Sequence, residues 1–126
     1  MSKLETPLTR RYWKSVGGTL IEEFPAVKGS KEQVRRLIDG ILVLGGENKI
    51  AEPQDVNLEG RDIIVIQTKS DRLGMHLMGQ AFFSIKLMKK FKPKTIKSVA
   101  ICTKSDKALL RLIKPYMNIE VIVYED

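Results

Sequence analysis

The amino-acid sequence predicts an α/β fold, a mixed β-sheet flanked by helices, with its elements in the order α-β-β-β-α-β-α-β. Two observations carry this prediction. Short apolar runs rich in Ile, Val and Leu, at residues 37–44 and 63–69, have the length and composition of strands. Around them lie segments whose apolar residues recur every three or four positions, as on one face of a helix. The alternation of these two patterns indicates helices that pack on a sheet.

The first helix is predicted over residues 7–16. Thr6, followed by proline, has the form of an N-cap and first helical residue. Leu8, Tyr12 and Val16 recur four residues apart and form one apolar stripe.

Gly17 and Gly18 break this periodicity. Residues 19–27 are rich in β-branched and aromatic types, which favours a strand ending at or near Pro25. A continuing helix is the alternative interpretation. The polar residues 28–33 predict a loop or a short helical turn.

The strand at residues 37–44 is followed by Gly-Gly-Glu-Asn at 45–48, a composition typical of a hairpin-type turn. Residues 49–60 have weak periodicity and are expected to lead the chain round to the next strand, residues 62–69.

The longest periodic segment predicts a helix with Ser70 or Asp71 as N-cap, ending before Pro93. Its apolar stripe consists of Leu73, Leu77, Ala81, Ile85 and Met88. A short strand is predicted at residues 98–102.

The C-terminal part predicts one more helix and one more strand. Ser105 and Asp106 have the character of helix caps, and Pro115 closes the helix. Leu109, Leu112 and Ile113 are expected to face inward. A final strand is predicted at residues 119–124.

The composition bounds the function. The length suits one domain, residues 1–126. No apolar run reaches the ~18 residues of a membrane span, so a cytoplasmic protein without a membrane partner is expected. A single cysteine, Cys102, excludes an internal disulfide, and with His76 alone beside it a zinc site is not expected. The 22 Lys and Arg outnumber the 15 Asp and Glu, which favours a polyanionic partner such as nucleic acid.

Polar residues inside the two clearest strands mark the candidate site. Asp39 interrupts the first strand, and Gln67 and Lys69 interrupt the second. Such groups are costly to bury without partners, so the fold is expected to gather them around something charged. Gln67 and Lys69 share one face of a strand, and a neighbouring strand would bring Asp39 close to Gln67.

This donor set fits Mg²⁺ or Mn²⁺, which prefer oxygen ligands. Asp39, the side-chain oxygen of Gln67 and the backbone carbonyl of Thr68 are the predicted ligands. Lys69 would then hold the attacking water and offset negative charge on a phosphate. These roles are those of metal-assisted phosphodiester hydrolysis.

The residues Ile-Asp-Gly at 38–40, followed by Ile-Gln-Thr-Lys at 66–69, resemble the PD-(D/E)xK nuclease superfamily. The superfamily includes restriction endonucleases, archaeal Holliday junction resolvases and RecB-type exonuclease domains. The resemblance implies a restriction endonuclease-like core of helix, three strands, helix and strand. It assigns Asp39 as the metal-binding acid, Gln67 to the position of the second acid, and Lys69 as the lysine.

The sequence departs from the family pattern at two positions. Ile38 stands where a proline is usual, and Gln67 replaces a carboxylate, which should lower metal affinity. A further acid from the first helix or strand often completes such a site, and the candidates are Glu5, Glu22 and Glu23. Glu22 and Glu23 cannot both face the site from one strand, and Glu23 is preferred.

Further residues are candidates for contacts with nucleic acid. Gln80 is similar to a glutamine of RecB-like members, whose usual tyrosine companion is Ser84 here. His76 could touch substrate, although a plain surface histidine is the simpler interpretation. The basic residues expected to contact backbone phosphates are Arg36, Lys86, Lys89 and Lys90, within a patch that continues through Lys92, Lys94 and Lys97. A solvated helix end is the alternative for that patch.

The sequence thus predicts a metal-dependent nuclease acting on DNA more readily than on RNA. The alternative is a non-catalytic module of the same fold that binds nucleic acid or another protein. The apolar residues that surround the long helix allow a homodimer, although burial under the sheet accounts for most of them; they are Met75, Met78, Phe82 and Phe83.

Overall fold

The computed structural model describes residues 2–125 and has the predicted order of elements. Two short 3₁₀ helices, Pro53–Asp55 and Lys89–Phe91, accompany three α-helices and five strands. These are α1 (Glu5–Val16), β1 (Thr19–Val27), β2 (Arg36–Val43), β3 (Asp62–Thr68), α2 (Met75–Met88), β4 (Thr95–Cys102), α3 (Lys107–Ile113) and β5 (Ile119–Val123).

The five strands form one mixed, open sheet in the order β1-β2-β3-β4-β5. β1, β2 and β3 pair antiparallel, whereas β3, β4 and β5 pair parallel. The parallel pairs need crossover connections, and α2 and α3 provide them. The prediction of an α/β fold with a mixed sheet between helices is therefore confirmed.

The helices cover both faces of the sheet. Tyr12 of α1 packs on one face with Leu42 and Ile66. On the other face, α2 covers the aliphatic side chains of β1, β2 and β3, and α2 and α3 together cover β4 and β5. Because β3 is covered on both faces, its side chains from Ile63 to Thr68 are all buried. This burial explains the nearly continuous aliphatic run of that strand.

The first helix begins at Glu5, so the prediction of Thr6 as its N-cap is wrong. The Glu5 N–H donates to Ser2 Oγ and the Ser2 N–H donates to Glu5 Oε1, both at 3.3 Å. This reciprocal pair is the capping-box arrangement of Ser-x-x-Glu, which starts the helix earlier. Tyr12 is buried as predicted, but Val16 is exposed.

The long helix begins at Met75, with Gly74 as N-cap, so the prediction of Ser70 or Asp71 as N-cap is also wrong. The preceding segment is held instead by the end of β4. The Thr103 N–H donates to the Asp71 carbonyl at 3.0 Å, and the Leu73 N–H donates to the Lys104 carbonyl at 2.8 Å. The chain therefore stays extended until Gly74.

Smaller corrections concern element ends and one helix face. β3 ends at Thr68, so Lys69 lies just beyond the strand and not within it. Asp106 is the N-cap of α3, as predicted, and its carboxylate accepts from the Leu109 N–H at 3.1 Å. Ile113 is buried, but Leu112 is exposed, contrary to the prediction.

Cys102 is buried among apolar side chains, in agreement with its interpretation as a core residue. Within residues 2–125, no helix has both the length and the apolar character needed to cross a membrane.

Candidate metal and nucleic-acid site

The candidate site lies where β2 and β3 separate. Their backbone pairing runs from Val43 opposite Ile63 to Gly40 opposite Ile66 and stops there. One residue further on, the Thr68 N–H donates to the Asp39 carboxylate at 2.8 Å. Asp39 therefore supplies a side-chain acceptor at the position where the ladder ends, and its carboxylate is held against the end of β3.

Glu23 lies opposite Asp39 on the neighbouring strand, between the paired positions Glu22 to Gly40 and Phe24 to Ile38. Its φ is +52°, in the left-handed region that residues other than glycine rarely adopt. Backbone in that region costs free energy and is found preferentially at functional sites.

Glu5 reaches the same end of the sheet from α1. Its Oε2 accepts from the Ser70 N–H at 3.4 Å, while its Oε1 accepts from Ser2. The first helix and the first strand thus each bring one acid toward Asp39. Both belong to the three glutamates that the sequence offered for this role.

The pKa of Asp39 is raised from 3.8 to about 6. Burial of the carboxylate is the main cause, and the negative charges of Glu23 and Glu5 add to it, whereas the Thr68 N–H acts in the opposite direction. The ionised carboxylate is therefore poorly stabilised by the protein alone. Binding of a proton or a cation would stabilise the Asp39 carboxylate.

Gln67 points away from solvent toward α2 and is only 4% exposed. Its Nε2 donates to Ser84 Oγ at 2.9 Å, and Ser84 Oγ donates to the Gln80 carbonyl at 2.6 Å. Because a hydroxyl has one hydrogen, Ser84 can only accept from Gln67 in this arrangement. The amide nitrogen therefore faces α2, whereas Glu5, which acts on Asp39, belongs to the helix on the other face of the sheet.

Lys69 is exposed, and its N–H donates to the Ile101 carbonyl at 2.9 Å. This hydrogen bond holds the Lys69 backbone beside β4, while its side chain, with the ammonium group, extends into solvent. None of the ion pairs among residues 2–125 joins Lys69 to Asp39.

Two residues that sequence reasoning missed fix α1 beside the site. The hydroxyl groups of Thr9 and Thr68 are 2.7 Å apart in the buried interface. The Thr9 methyl group lies over Gly40, where an added Cβ would be 3.3 Å from both Thr9 and Leu20. The signals for these roles were a threonine one turn before Tyr12 on the same helix face, and a glycine inside an aliphatic strand.

The remaining acid, Glu22, forms an ion pair with Arg10 of α1 at 2.8 Å. The helix thus holds one glutamate of β1 while the next, Glu23, lies beside Asp39. The preference for Glu23 over Glu22 stays a prediction, and this geometry is consistent with it.

A groove of about 570 Å³ adjoins Gln67 between α2 and the start of β2. Arg36, His76 and Gln80 line it, so these three candidates share one surface with Gln67 and Ser84.

The lysines of the predicted basic patch are dispersed. Lys86, Lys89 and Lys90 are exposed on α2 and the 3₁₀ helix that follows it. The Lys94 N–H donates to the Arg61 carbonyl, which places Lys94 at the opposite end of β3 from Asp39. Lys97 lies in β4 and forms an ion pair with Glu120 at 3.0 Å.

Across residues 2–125, no three or more His, Cys, Asp or Glu side chains are grouped closely enough to hold a metal ion. The Asp39 carboxylate and the carbonyl of Thr68, whose N–H it accepts from, are oxygen donors, the type that Mg²⁺ and Mn²⁺ prefer.

Comparisons of the chain with protein-family models, with curated proteins and with solved structures find no match.

Proposed function

We propose that this protein is a divalent-metal-dependent phosphodiester hydrolase of the restriction endonuclease-like fold, acting on nucleic acid and on DNA in preference to RNA. The observation that carries the proposal is the partly buried Asp39 carboxylate, which the Thr68 N–H holds at the end of β3 and whose pKa is raised by burial and by the negative charges of Glu23 and Glu5. A divalent cation at Asp39 would stabilise the ionised carboxylate and interact favourably with these negative charges.

The residues present fit Mg²⁺ or Mn²⁺ in kind. Asp39, with Glu23 or Glu5, would supply carboxylate oxygens, and the Thr68 carbonyl is a neutral donor nearby in the chain. Mg²⁺ is commonly held by one or two carboxylates together with substrate phosphates and water. When bound, the cation would polarise the phosphate and favour ionisation of a bound water.

The chain's own residues would prepare the site for that chemistry. The Thr68 N–H orients the Asp39 carboxylate. Lys69 lies at the next position and carries an ammonium that can reach a phosphate and offset its growing negative charge. Because Gln67 is neutral where the resemblance has a second acid, the site carries less negative charge. Metal binding should therefore depend strongly on the substrate's phosphate.

The architecture supports the proposed fold. One helix, an antiparallel meander of three strands, a crossover helix and a parallel fourth strand follow each other along the chain. This is the order that the resemblance to PD-(D/E)xK nucleases implies.

The test is nicking of supercoiled plasmid by the purified protein with Mg²⁺ or Mn²⁺. We expect Asp39→Asn to reduce nicking to background, since it removes the carboxylate that would hold the cation, and Lys69→Ala to reduce it about a hundredfold or more, since it removes an ammonium that offsets charge on the reacting phosphate. Asp62→Asn is the matched control, because Asp62 lies at the other end of β3, where its carboxylate accepts a hydroxyl hydrogen bond from Thr95. Nicking that survives both site substitutions would refute the proposal.

A second candidate function is a non-catalytic module of the same fold that binds nucleic acid. The neutral, buried Gln67, tied to α2 through Ser84, favours this alternative, because the second acid of the resemblance is missing. DNA binding in EDTA, combined with no nicking in either metal, would select it.

A further inference from the structure

The groove between α2 and the start of β2 combines an apolar surface with polar groups. Leu37, Ile38 and Leu87 belong to its apolar lining. Arg36 and Gln80 contribute a guanidinium and an amide from opposite sides, one from β2 and one from α2. Such a combination is typical of ligand sites, in which apolar contact supplies affinity and a few polar groups fix orientation.

Two large apolar side chains of α2 are left in solvent at this groove. Met75 is 81% exposed and Phe83 is 66% exposed, and both line the cavity. Phe82, the neighbour of Phe83, is by contrast packed edge-on against Tyr116, with ring centroids 5.0 Å apart. Phe83 therefore presents a ring that the protein itself does not cover.

We infer that this groove binds an unpaired nucleotide of the substrate, with the base stacked on Phe83 and the adjoining phosphate held by Arg36. The inference rests on the proposed function and adds the class of substrate. Stacking on an exposed aromatic ring and hydrogen bonds to an amide are the usual means of holding unpaired bases. A guanidinium is suited to a phosphate because two N–H groups can donate to it together.

The groove lies on the α2 side of the strand ends that carry Asp39 and Thr68, and Ile38, which precedes Asp39, also lines it. Gln67 lies in the groove wall, and the next residue, Thr68, donates its N–H to Asp39. A nucleic-acid strand with one base in the groove would place its phosphate backbone near the end of β3. The charge agrees as well, since the chain carries a formal net charge of +7.

The geometry selects unpaired over paired bases. In a duplex, each internal base is covered on both faces by its neighbours, so it cannot also stack on Phe83 without leaving the helix. Substrates with a single-stranded tail or flap offer such a base directly. The groove thus predicts a preference for single strands and overhangs over blunt duplex.

The test measures oligonucleotide binding by fluorescence anisotropy in EDTA, where no hydrolysis occurs. The probes are a single-stranded DNA, the same sequence as blunt duplex, and a single strand with abasic sites. We expect the wild-type protein to bind the single strand about tenfold more tightly than the duplex or the abasic strand. Phe83→Ala should remove this preference, and Phe83→Trp should retain it.

Leu112→Ala is the matched control, since Leu112 is 68% exposed on α3 and does not line the groove. It should leave all three affinities unchanged. Arg36→Ala should weaken binding of every probe and lower its dependence on salt, because it removes a phosphate contact.

Equal binding of all three probes by the wild-type protein, or a preference that survives Phe83→Ala, overturns the inference. So does a result in which Phe83→Ala abolishes self-association but leaves the three affinities unchanged, because the groove then binds a second copy of the chain. Each of these outcomes leaves the proposed hydrolysis untouched, which is judged by the Asp39→Asn nicking assay. Conversely, a Phe83-dependent preference without nicking supports the groove and refutes the hydrolase.

Discussion

Asp39 and Gln67 occupy comparable positions, because each is a polar residue one position beyond the last paired residues of β2 and β3, Gly40 and Ile66. Their surroundings differ. Gln67 donates to a neutral hydroxyl of α2, which in turn donates to a helix carbonyl. Asp39 receives one backbone N–H and has two glutamates beside it. On the α2 side the Gln67 amide has a hydrogen-bond partner within the protein, whereas on the α1 side burial and the negative charges of Glu23 and Glu5 raise the pKa of Asp39.

This difference distinguishes a polar residue that stabilises the fold from one that is available for function. A buried amide that finds partners specifies how a helix sits on a sheet, and little further chemistry is available from it. A carboxylate crowded by other carboxylates lowers stability and is retained where a ligand repays that cost. Adding a carboxylate at Gln67 should therefore lower stability, whereas removing the carboxylate of Asp39 should raise it.

Gln67→Glu should have the largest effect, because it places a second carboxylate on the α2 side of the site. At pH 8 in EDTA, we expect the free energy of unfolding to fall by about 4 kcal/mol, as for a buried charge without a partner. Mn²⁺ should recover part of the loss. Urea denaturation with and without the metal measures the loss and its recovery, and Gln80→Glu, at an exposed position of α2, is the control. An unaffected variant would mean that the amide is not required there.

Asp39→Asn should have the next largest effect, with the opposite sign. The folded-state pKa of about 6 lies above the ordinary 3.8, so the stability that the protonated group contributes is complete below about pH 4 and is lost as the pH rises through 6. Asparagine keeps an oxygen for the Thr68 N–H and does not ionise. At pH 8 the variant should be more stable than wild type by up to about 3 kcal/mol.

Chemical denaturation in EDTA from pH 4 to pH 8 measures this difference, which should vanish toward the acidic end. Parallel profiles for the two proteins would contradict the account of Asp39.

Ser84→Ala should lower the free energy of unfolding by about 2 kcal/mol, because the buried Gln67 amide loses its acceptor. Ser98→Ala is a matched control. Ser98 is also buried, and its hydroxyl donates to the Ala81 carbonyl of α2. Because Ala81 remains within α2 when this hydrogen bond is lost, Ser98→Ala should have the smaller effect. Thermal or urea denaturation of the pair compares them. A larger effect at Ser98 would show that Gln67 does not depend on Ser84.

Glu23→Asn should have the smallest effect, a gain of about 1 kcal/mol at pH 8. Asparagine adopts the left-handed backbone with less strain, and it removes a negative charge beside Asp39. Glu22→Asn is the neighbouring control, and it should be neutral or slightly destabilising because it breaks the ion pair with Arg10. If Glu22→Asn were the more stabilising of the two, the role given to Glu23 would be wrong.

The strands and their order were predictable because aliphatic runs of strand length have few other uses in a protein of this composition. Asp39 and Gln67 stood out for the same reason, since polar residues contrast sharply with such runs. The structure brings their backbone positions together through the register of β2 and β3.

The start of α2 was not predictable, because Ser70 and Asp71 have the local chemistry of caps, and a distant segment, residues 103–104, keeps that part of the chain extended. Thr9 was missed for a similar reason. Its partner, Thr68, is 59 positions away in the sequence, and no local sequence pattern predicts a hydrogen bond between hydroxyl groups of a helix and a sheet.

The central claim is that a divalent cation binds the Asp39 carboxylate. Thermal unfolding at pH 8, with and without Mn²⁺ and in the presence of a DNA oligonucleotide, tests it most directly when wild type and Asp39→Asn are compared. The account predicts that Mn²⁺ raises the Tm of the wild type and leaves that of Asp39→Asn unchanged. Equal shifts in the two proteins, or no shift in either, would contradict it.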